Sequence, residues 1–567
     1  MSSSVLVPLL PLLAALIALA GGARSKHLRG KIGALPMVVA FFGAAATLVL
    51  VASHGPISIR FYDVWFAANP AFPIGFYIDR LSAVMMTLIT LVGTIVYVYS
   101  TRYMYQDRGY SRYLGLIAFT TFVLLCMVSS ANLVMLFVFW QLLSWLLFLL
   151  AHNHTHPATL EGAFKTFTFL RIGDVAFLGG IVLAHSLYGT VEFQDLFALA
   201  AAMPIDLSPV PGVVISGATA VTLLIFVGAM SKSAQFPLHV WLPSSLYAPT
   251  PVHALLHAGI INAGGFLLNR LAPLYGLSST TLHVVFVTGT LTAILGATMM
   301  LVQNDIKKTL GFSTIGQMGY MIMECGLGAF SLAVFHLIAH GLFKATVFLN
   351  CGNVIHKARQ EPAFPHHGHV LEETEFSRLT WLTGFLATLV LPLSILLAAH
   401  GVLRIPLLES QGTVIFLFFA WVTSSQAILT LTRLRAVASW KVSGTMLVTL
   451  LLVIFTYLFA VESFTAFLYP DPAVVEHYFK MAALPSRLFD LLVVSATLMT
   501  ILGWVVIYTN AKGRVIWIPA WIRILQVRLY VLFMNLLYVD PLYAGLGRKL
   551  MRIIHRIDKH SFGRSLS

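Results

Sequence analysis

The chain reads as all-α, a polytopic transmembrane bundle of about 15 helices. Three observations carry that reading. Of 567 residues, 58% are hydrophobic and 10% charged, where a soluble globular protein carries about 25% charged; the mean hydropathy is +0.87. Apolar runs close to the roughly 20 residues that cross a bilayer recur from one end to the other. Lys and Arg fall in alternate loops, the asymmetry that orients spanning helices. The runs follow one another too closely for several domains, so the length describes one membrane domain. The formal charge of +14 is a topology signal, and no nucleic-acid partner is expected.

The first five candidate spans lie near 5–21, 33–53, 81–101, 113–130 and 131–151. A polar, aromatic loop from Ser53 to Arg80 separates the second from the third. The next five fall near 163–187, 212–245, 252–273, 280–302 and 309–330, and the last five near 331–356, 379–403, 411–433, 442–468 and 487–509. Two of these are broken, 212–245 by Pro237 and 379–403 by Pro392.

Orientation follows from the loops. Arg24, Lys26, Arg29 and Lys31 share a side with Arg102, Arg108 and Arg112, with Lys307 and Lys308, with Lys357, Arg359 and Arg378, and with Arg433, Arg435 and Lys441. Glu192, Asp195 and Asp206 lie opposite. The N-terminus is therefore expected outside and the C-terminal tail in the cytoplasm. That tail, 510–567, sets Trp517, Trp521 and several Arg and Lys around an apolar middle, Val527 to Tyr538, too short to span. It reads as interfacial helices on anionic lipid or on a partner. The first apolar run has no basic region before it, so no cleavable signal is expected. Cys126, Cys325 and Cys351 lie in apolar runs without a CxxC pair and read as core residues.

The stretch Gly228 to Arg270 is the least membrane-like part of a membrane sequence. It holds Lys232, His239, His253 and His257 together with Pro237, Pro243, Pro249 and Pro251. Broken backbone at membrane depth is tolerated only inside protein or beside a water-filled path, and a lysine there is a functional candidate by default. The sixth span adds Lys165, Arg171 and Asp174; the last two stand three apart and can pair, either to fix packing or to serve ion movement. In the eleventh span His336, His340 and Lys344 recur every fourth residue, a row of roughly 12 Å at 1.5 Å per residue. One histidine on an apolar face is usually a bonded core residue. Three titratable groups in register, with His253 and His257 also four apart, suit a water-bridged proton relay. Glu324, in another apolar run, reads as a relay carboxylate or, by preference, as the partner of a nearby base. The loop clusters His152, His154, His156 and His366, His367, His369 lack the Cys or acidic companions that make zinc specific, and read as solvated. No nucleotide loop, nucleophile elbow or haem or iron–sulfur ligand set is present. The chain is thus read as carrying ions, not as an enzyme.

These motifs have a family resemblance. SKSAQFPLHVWLPSSLYAPTPVHALLHAG, then NDIKKTLGFSTIGQMGYMIM and FHLIAHGLFKATVFLNCGNVIH, resemble the proton-antiporter-like membrane subunits of respiratory complex I and of multisubunit sodium/proton antiporters. SSANLVMLFVFWQLLSW and KTFTFLRIGDVAFL extend the match, which covers roughly residues 79–356. The resemblance implies two inverted five-helix repeats, each with a broken helix. They would occupy 113–273 and 280–433, after N-terminal helices over 1–112 and before C-terminal helices over 442–509. It also implies an ion pathway through Lys232, His257, His336, His340 and Lys344, with Asp174, His253 and Glu324 beside it.

Two departures stand out. The family has glutamate after the fifth-span tryptophan; here Gln141 follows Trp140, leaving Lys232 without that carboxylate unless Asp174 or Glu324 substitutes. The family's second broken-helix lysine falls on Gly401, beside His400. Both subtract fixed charge from the path, and the long lateral helix of the largest complex I subunit looks absent. The resemblance is then to the branch serving DAB-type inorganic carbon accumulation complexes of the bacterial inner membrane. It implies a large soluble zinc-binding, carbonic-anhydrase-like (DabA-like) partner, with zinc in that partner and no cofactor in this chain. Protons or sodium would be the ions moved. A pumping subunit of a complex I-like oxidoreductase, a multisubunit antiporter subunit and a non-conducting membrane anchor are the alternatives.

Overall fold

A computed structural model of the chain describes residues 3–20, 25–65, 71–151, 157–210, 213–245, 248–360, 459–510 and 520–545, with isolated positions beyond them. Pro392, His400, Gly401, both His-rich loops and the twelfth and thirteenth expected spans lie outside the described residues.

The N-terminal part contains α1 (Leu6–Leu19), α2 (Lys26–His54), a hairpin of β1 (Ile57–Trp65) and β2 (Ala71–Ile78), and α3 (Arg80–Tyr103). Then follow α4 (Tyr110–Val128), α5 (Leu133–Ala151), α6 (Pro157–Tyr188), a short α7 (Phe193–Ala202) and a second hairpin, β3 (Asp206–Val210) and β4 (Val213–Ser216). The broken region comprises α8 (Gly217–Lys232) and α9 (Trp241–Ser244). The eighth span is α10 (Thr250–Leu255), a π-helical turn (Leu256–Ile260), α11 (Ala263–Arg270) and the short α12 (Ala272–Tyr275). Then come α13 (Ser279–Leu301), α14 (Ile306–Gly326), α15 (Phe330–Gln360), α16 (Phe459–Leu468), α17 (Pro472–Ala482), α18 (Ser486–Asn510) and α19 (Ala520–Met534). Eight described helices are long and apolar enough to cross a membrane, and ten segments are when two bent pairs each count as one.

Local chemistry sets the helix starts. Asp79, Ser216, Ser278 and Asp305 accept the backbone N–H three residues on, opening α3, α8, α13 and α14. α13 and α14 pack with their backbones in near contact: Gly296 faces the Gly316 backbone and Gly319 that of Ala293, so a side chain at either would force the helices apart. The eighth span is buried throughout, whereas Val175 on α6 and Met499 on α18 are 72% and 70% exposed. That contrast separates an inner helix from lipid-facing ones.

Four features were not expressed in the expected span limits. α2 starts at Lys26, not near 33, so Lys26, Arg29 and Lys31 are helical; Lys26 Nζ donates to Asp107 O at 3.3 Å. The 53–80 loop is largely an antiparallel hairpin, as the alternation of Ile57, Ile59 and Phe61 with Ser58, Arg60 and Tyr62 allows. β2 is fixed to the α4–α5 turn, where Tyr77 N donates to Ser129 O at 2.8 Å. α17 is amphipathic and bends 86° from α18. Beyond α19 the tail returns to the bundle: Lys165 Nζ meets Asp540 Oδ1 at 2.5 Å, and Tyr543 Oη donates to Pro237 O at 3.2 Å.

The face carrying both hairpins is braced by a buried ion pair, beside the exposed Arg60–Glu192 pair at 3.4 Å. Arg270, ending α11, donates to both Asp79 carboxylate oxygens at 2.7 and 3.1 Å and to Ser82 Oγ at 2.6 Å. It thereby ties α11 to the start of α3.

Candidate functional site

The break after Lys232 is held by the protein rather than left to hydrocarbon. Ser233 Oγ donates to Ile261 O at 2.6 Å, Phe236 N to Thr292 Oγ1 at 3.0 Å, and Trp241 Nε1 to Ser231 O at 2.8 Å. Gln235 N turns back to Met230 O at 2.8 Å. The Ser233 bond ties the break to the eighth span, and the other three satisfy groups that a continuous helix would have satisfied itself, which is how irregular backbone persists at membrane depth.

Lys232 is the charge this break leaves inside, and it is fully buried. Its Nζ donates to Trp140 O at 3.0 Å and to Ser144 Oγ at 2.6 Å, and lies 4.8 Å from the centre of the Trp140 ring. Trp140 reaches the other way as well: its Nε1 donates to Asp174 Oδ1 at 2.7 Å. Asp174 Oδ2 faces Arg171 Nε at 3.4 Å, and Arg171 donates to Gln141 Oε1. Asp174 and Lys232 are thus in electrostatic reach of each other, with Trp140 between them. Gln141, at the family's glutamate position, faces Arg171. Gln141→Glu is therefore expected to strengthen the tie to Arg171, by about 1 kcal/mol or less at this partly exposed site, without creating a Lys232 ion pair. An apparent melting temperature checks the first statement and a structure of the variant the second.

The second group lies where the eighth span meets α15. His253 and His257 have ring centres 6.1 Å apart, and Phe348 stacks on His257 at 4.5 Å and 3°. His257 is in electrostatic reach of His340 and Lys344. Both ring nitrogens of His257 and of His340 are buried with no hydrogen-bond partner among the described residues. His336 and His340 have ring centres 6.3 Å apart. His336 Nδ1 contacts Glu324 Oε2 at 3.1 Å, and its Nε2 contacts Gln317 Oε1 at 2.9 Å. Lys344 Nζ donates to Leu310 O at 3.1 Å.

The structure thus gathers Lys232, Asp174 and Gln141 around Trp140, and His253 and His257 against Phe348, with His340 and Lys344 in electrostatic reach of His257 and His336 and Glu324 next along the row. His400 lies outside the described residues. Reading charges alone passed over Ser144, Gln317 and Phe348. Two of them had a signal in their spacing: Ser144 follows Trp140 by one helical turn, and Phe348 continues the His336–His340–Lys344 row by one more.

The family match rests on more than these residues. The family described as NADH:quinone oxidoreductase/Mrp antiporter, transmembrane, matches residues 130–429, over half of the 567-residue chain. The chain belongs to this antiporter family. A complex I chain 5 N-terminal family also matches residues 65–114. Among antiporter-family relatives, "Probable inorganic carbon transporter subunit DabB1" of Halothiobacillus neapolitanus is 39% identical over 98% of each chain. "NADH-quinone oxidoreductase subunit L" of Neisseria meningitidis is 36% identical over 67% of this chain but only 58% of its own. In fold, this antiporter-family chain resembles one of the Mrp complex from Dietzia sp., with a TM-score of 0.60 and 20% identity over 97% of this chain and 60% of the other. The protein is a multi-pass, antiporter-like membrane subunit related to DabB, complex I subunit L and Mrp.

Proposed function

We propose that the chain conducts cations as the membrane subunit of a bacterial inorganic carbon accumulation complex. It sits in the inner membrane with its N-terminus outside and its C-terminal tail in the cytoplasm. Protons are the ion favoured, with sodium the alternative. They enter from outside, pass Lys232 and His257 and reach the His336–His340–Lys344 row, with Asp174, His253, Glu324, Gln141 and His400 along the path. The partner is a large soluble zinc-binding, carbonic-anhydrase-like subunit of the DabA kind. Cation flux drives its conversion of CO2 to bicarbonate; zinc and hydration chemistry belong to it, and this chain supplies no catalytic group.

The observation that carries this reading is the end-to-end match to DabB1, beside a partial match to complex I subunit L. The geometry supports conduction within it. Lys232 is buried on two neutral oxygens rather than locked to a carboxylate, and His257 and His340 have both ring nitrogens buried and unbonded among the described residues, which leaves them able to exchange protons. The test is growth. A carbonic-anhydrase-deficient bacterium carrying this chain and its zinc-binding partner should grow in ambient air. Absence of growth, with quinone-reductase or antiporter subunits copurifying with the chain, overturns the proposal. Growth undiminished when Lys232, His340 and Lys344 are all replaced makes the chain an anchor instead.

A further inference from the structure

On the eighth span the pathway groups end at His257, while Glu324 and His336 on the neighbouring helices continue toward the hairpin face. Beyond His257 the eighth span carries Asn262 and Asn269. Seven residues apart, they lie about two turns along one helical face. Asn262 Nδ2 donates to Ala258 O and Asn269 Nδ2 to Gly265 O, both at 2.9 Å. Each leaves a buried Oδ1 with no partner among the described residues. Turning either amide over would set Oδ1 against that carbonyl oxygen, so Oδ1 is the atom left open. Two open amide oxygens in register inside a buried span call for a polar occupant.

Both ends of this face lead somewhere. Asn262 lies against α15 beside Gly341, the neighbour of His340, where a side-chain carbon would stand 3.5 Å from Asn262 Nδ2. Asn269 forms part of the wall of a cavity of about 400 Å³, shared with Gly55, Asp79, Gln194, Arg270 and Tyr469. These are loop and helix-end positions on the hairpin face, and the volume accommodates several waters. The cations in the wall are already engaged, Arg270 by Asp79 and Arg80 by the Phe467 carbonyl at 2.7 Å. From His257 to Asn269 the span rises roughly 18 Å at 1.5 Å per residue, over half of a hydrocarbon core of about 30 Å.

We propose that this cavity is the mouth of the ion path on the hairpin face, and that Asn269 and Asn262 pass a hydrated cation between it and His257. The proposal rests on the cation-conducting reading and gives that path an end. Neutral amide oxygens suit such a role: they replace part of the ion's water without holding it as a carboxylate would. Met321 lies over Gly265, between the two asparagines; its flexible thioether can move aside.

The full chain, with the subunits that copurify with it, is reconstituted in liposomes. Flux is read with a pH-sensitive dye for protons and with labelled sodium. Gln194→Cys places a thiol at an exposed position of the cavity wall, while Cys126, Cys325 and Cys351 are buried. A membrane-impermeant cationic thiol reagent on the hairpin face should lower its flux about tenfold or more. It should leave Val214→Cys unchanged, since Val214 lies outside the cavity and is 67% exposed. Asn269→Leu, which keeps the bulk and removes the oxygen, should lower flux to a similar extent while assembly is retained. Absence of flux in the unmodified protein defeats conduction itself. Normal flux with complete labelling at position 194, or normal flux in assembled Asn269→Leu, overturns the mouth alone. Failure of that thiol to label overturns it too, because the cavity would not open on that face.

Discussion

Lys232→Met is expected to cut cation flux by about a hundredfold or more, the scale at which a positioned proton-transfer group contributes, while leaving the protein folded. Methionine matches the length of the lysine stem and removes only the ammonium. The two groups it deserts, Trp140 O and Ser144 Oγ, are not stranded, since Ser144 Oγ also donates to Trp140 O at 3.4 Å. Exchanging a buried charge for an apolar side chain of similar volume is commonly neutral or stabilising. Lys232→Arg separates charge from proton exchange. A guanidinium keeps its proton under all working conditions, so it preserves the positive charge beside Trp140 but cannot release a proton. Equal loss in both variants identifies proton exchange as the lysine's task, read as dye-reported flux with thermal unfolding as the fold control. Wild-type flux in Lys232→Met would remove Lys232 from the pathway.

That experiment turns on a residue the sequence exposes at once. A lysine among prolines in an apolar run violates two rules of membrane solvation together, and no local structure is needed to see it. Its surroundings are harder to read. Trp140 and Asp174 are 34 positions apart, and Lys232 lies 92 beyond Trp140; nothing local pairs them. The departure at Gln141 is visible in sequence, but its consequence is not, because the side chain faces Arg171. The helices follow from hydropathy, which is why most span limits that fall on the described residues agree within a few residues. The hairpins are less legible: short, half-polar strands lack the long apolar run that marks a span, and their pairing is set by the turns between helices. Asn262 and Asn269 escaped for another reason. An uncharged amide costs little in a hydropathy window, so only the structure singles out its oxygen.

The Asp79–Arg270 pair is the place where losing one charge should unfold most of the protein's hairpin face. Asp79→Asn is expected to cost about 3–5 kcal/mol, the usual result of stranding one partner of a buried ion pair. Arg270 is only 4% exposed and the Asp79 side chain 28%. Removing the carboxylate therefore leaves a nearly buried guanidinium with no compensating charge, only the neutral Ser82 Oγ and Val128 O and the small cavity it lines, whereas Arg270→Leu leaves a carboxylate that reaches solvent or takes up a proton. Asp79→Asn should be the more damaging, even though asparagine can still accept the Ser82 N–H that opens α3. Burial alone would push the Asp79 carboxyl up; the Arg270 guanidinium and the Ser82 amide offset this and hold it below the usual aspartate value. A carboxyl lowered on folding stabilises fully above its unfolded value of about 3.9 and loses that contribution as pH falls through the lower native value. Wild-type thermal stability in detergent should accordingly fall on acidification below that range, and the Asp79→Asn variant should show a flatter acid limb. Parallel acid limbs in the two proteins would mean that the pair stabilises no more than its neutral replacement does.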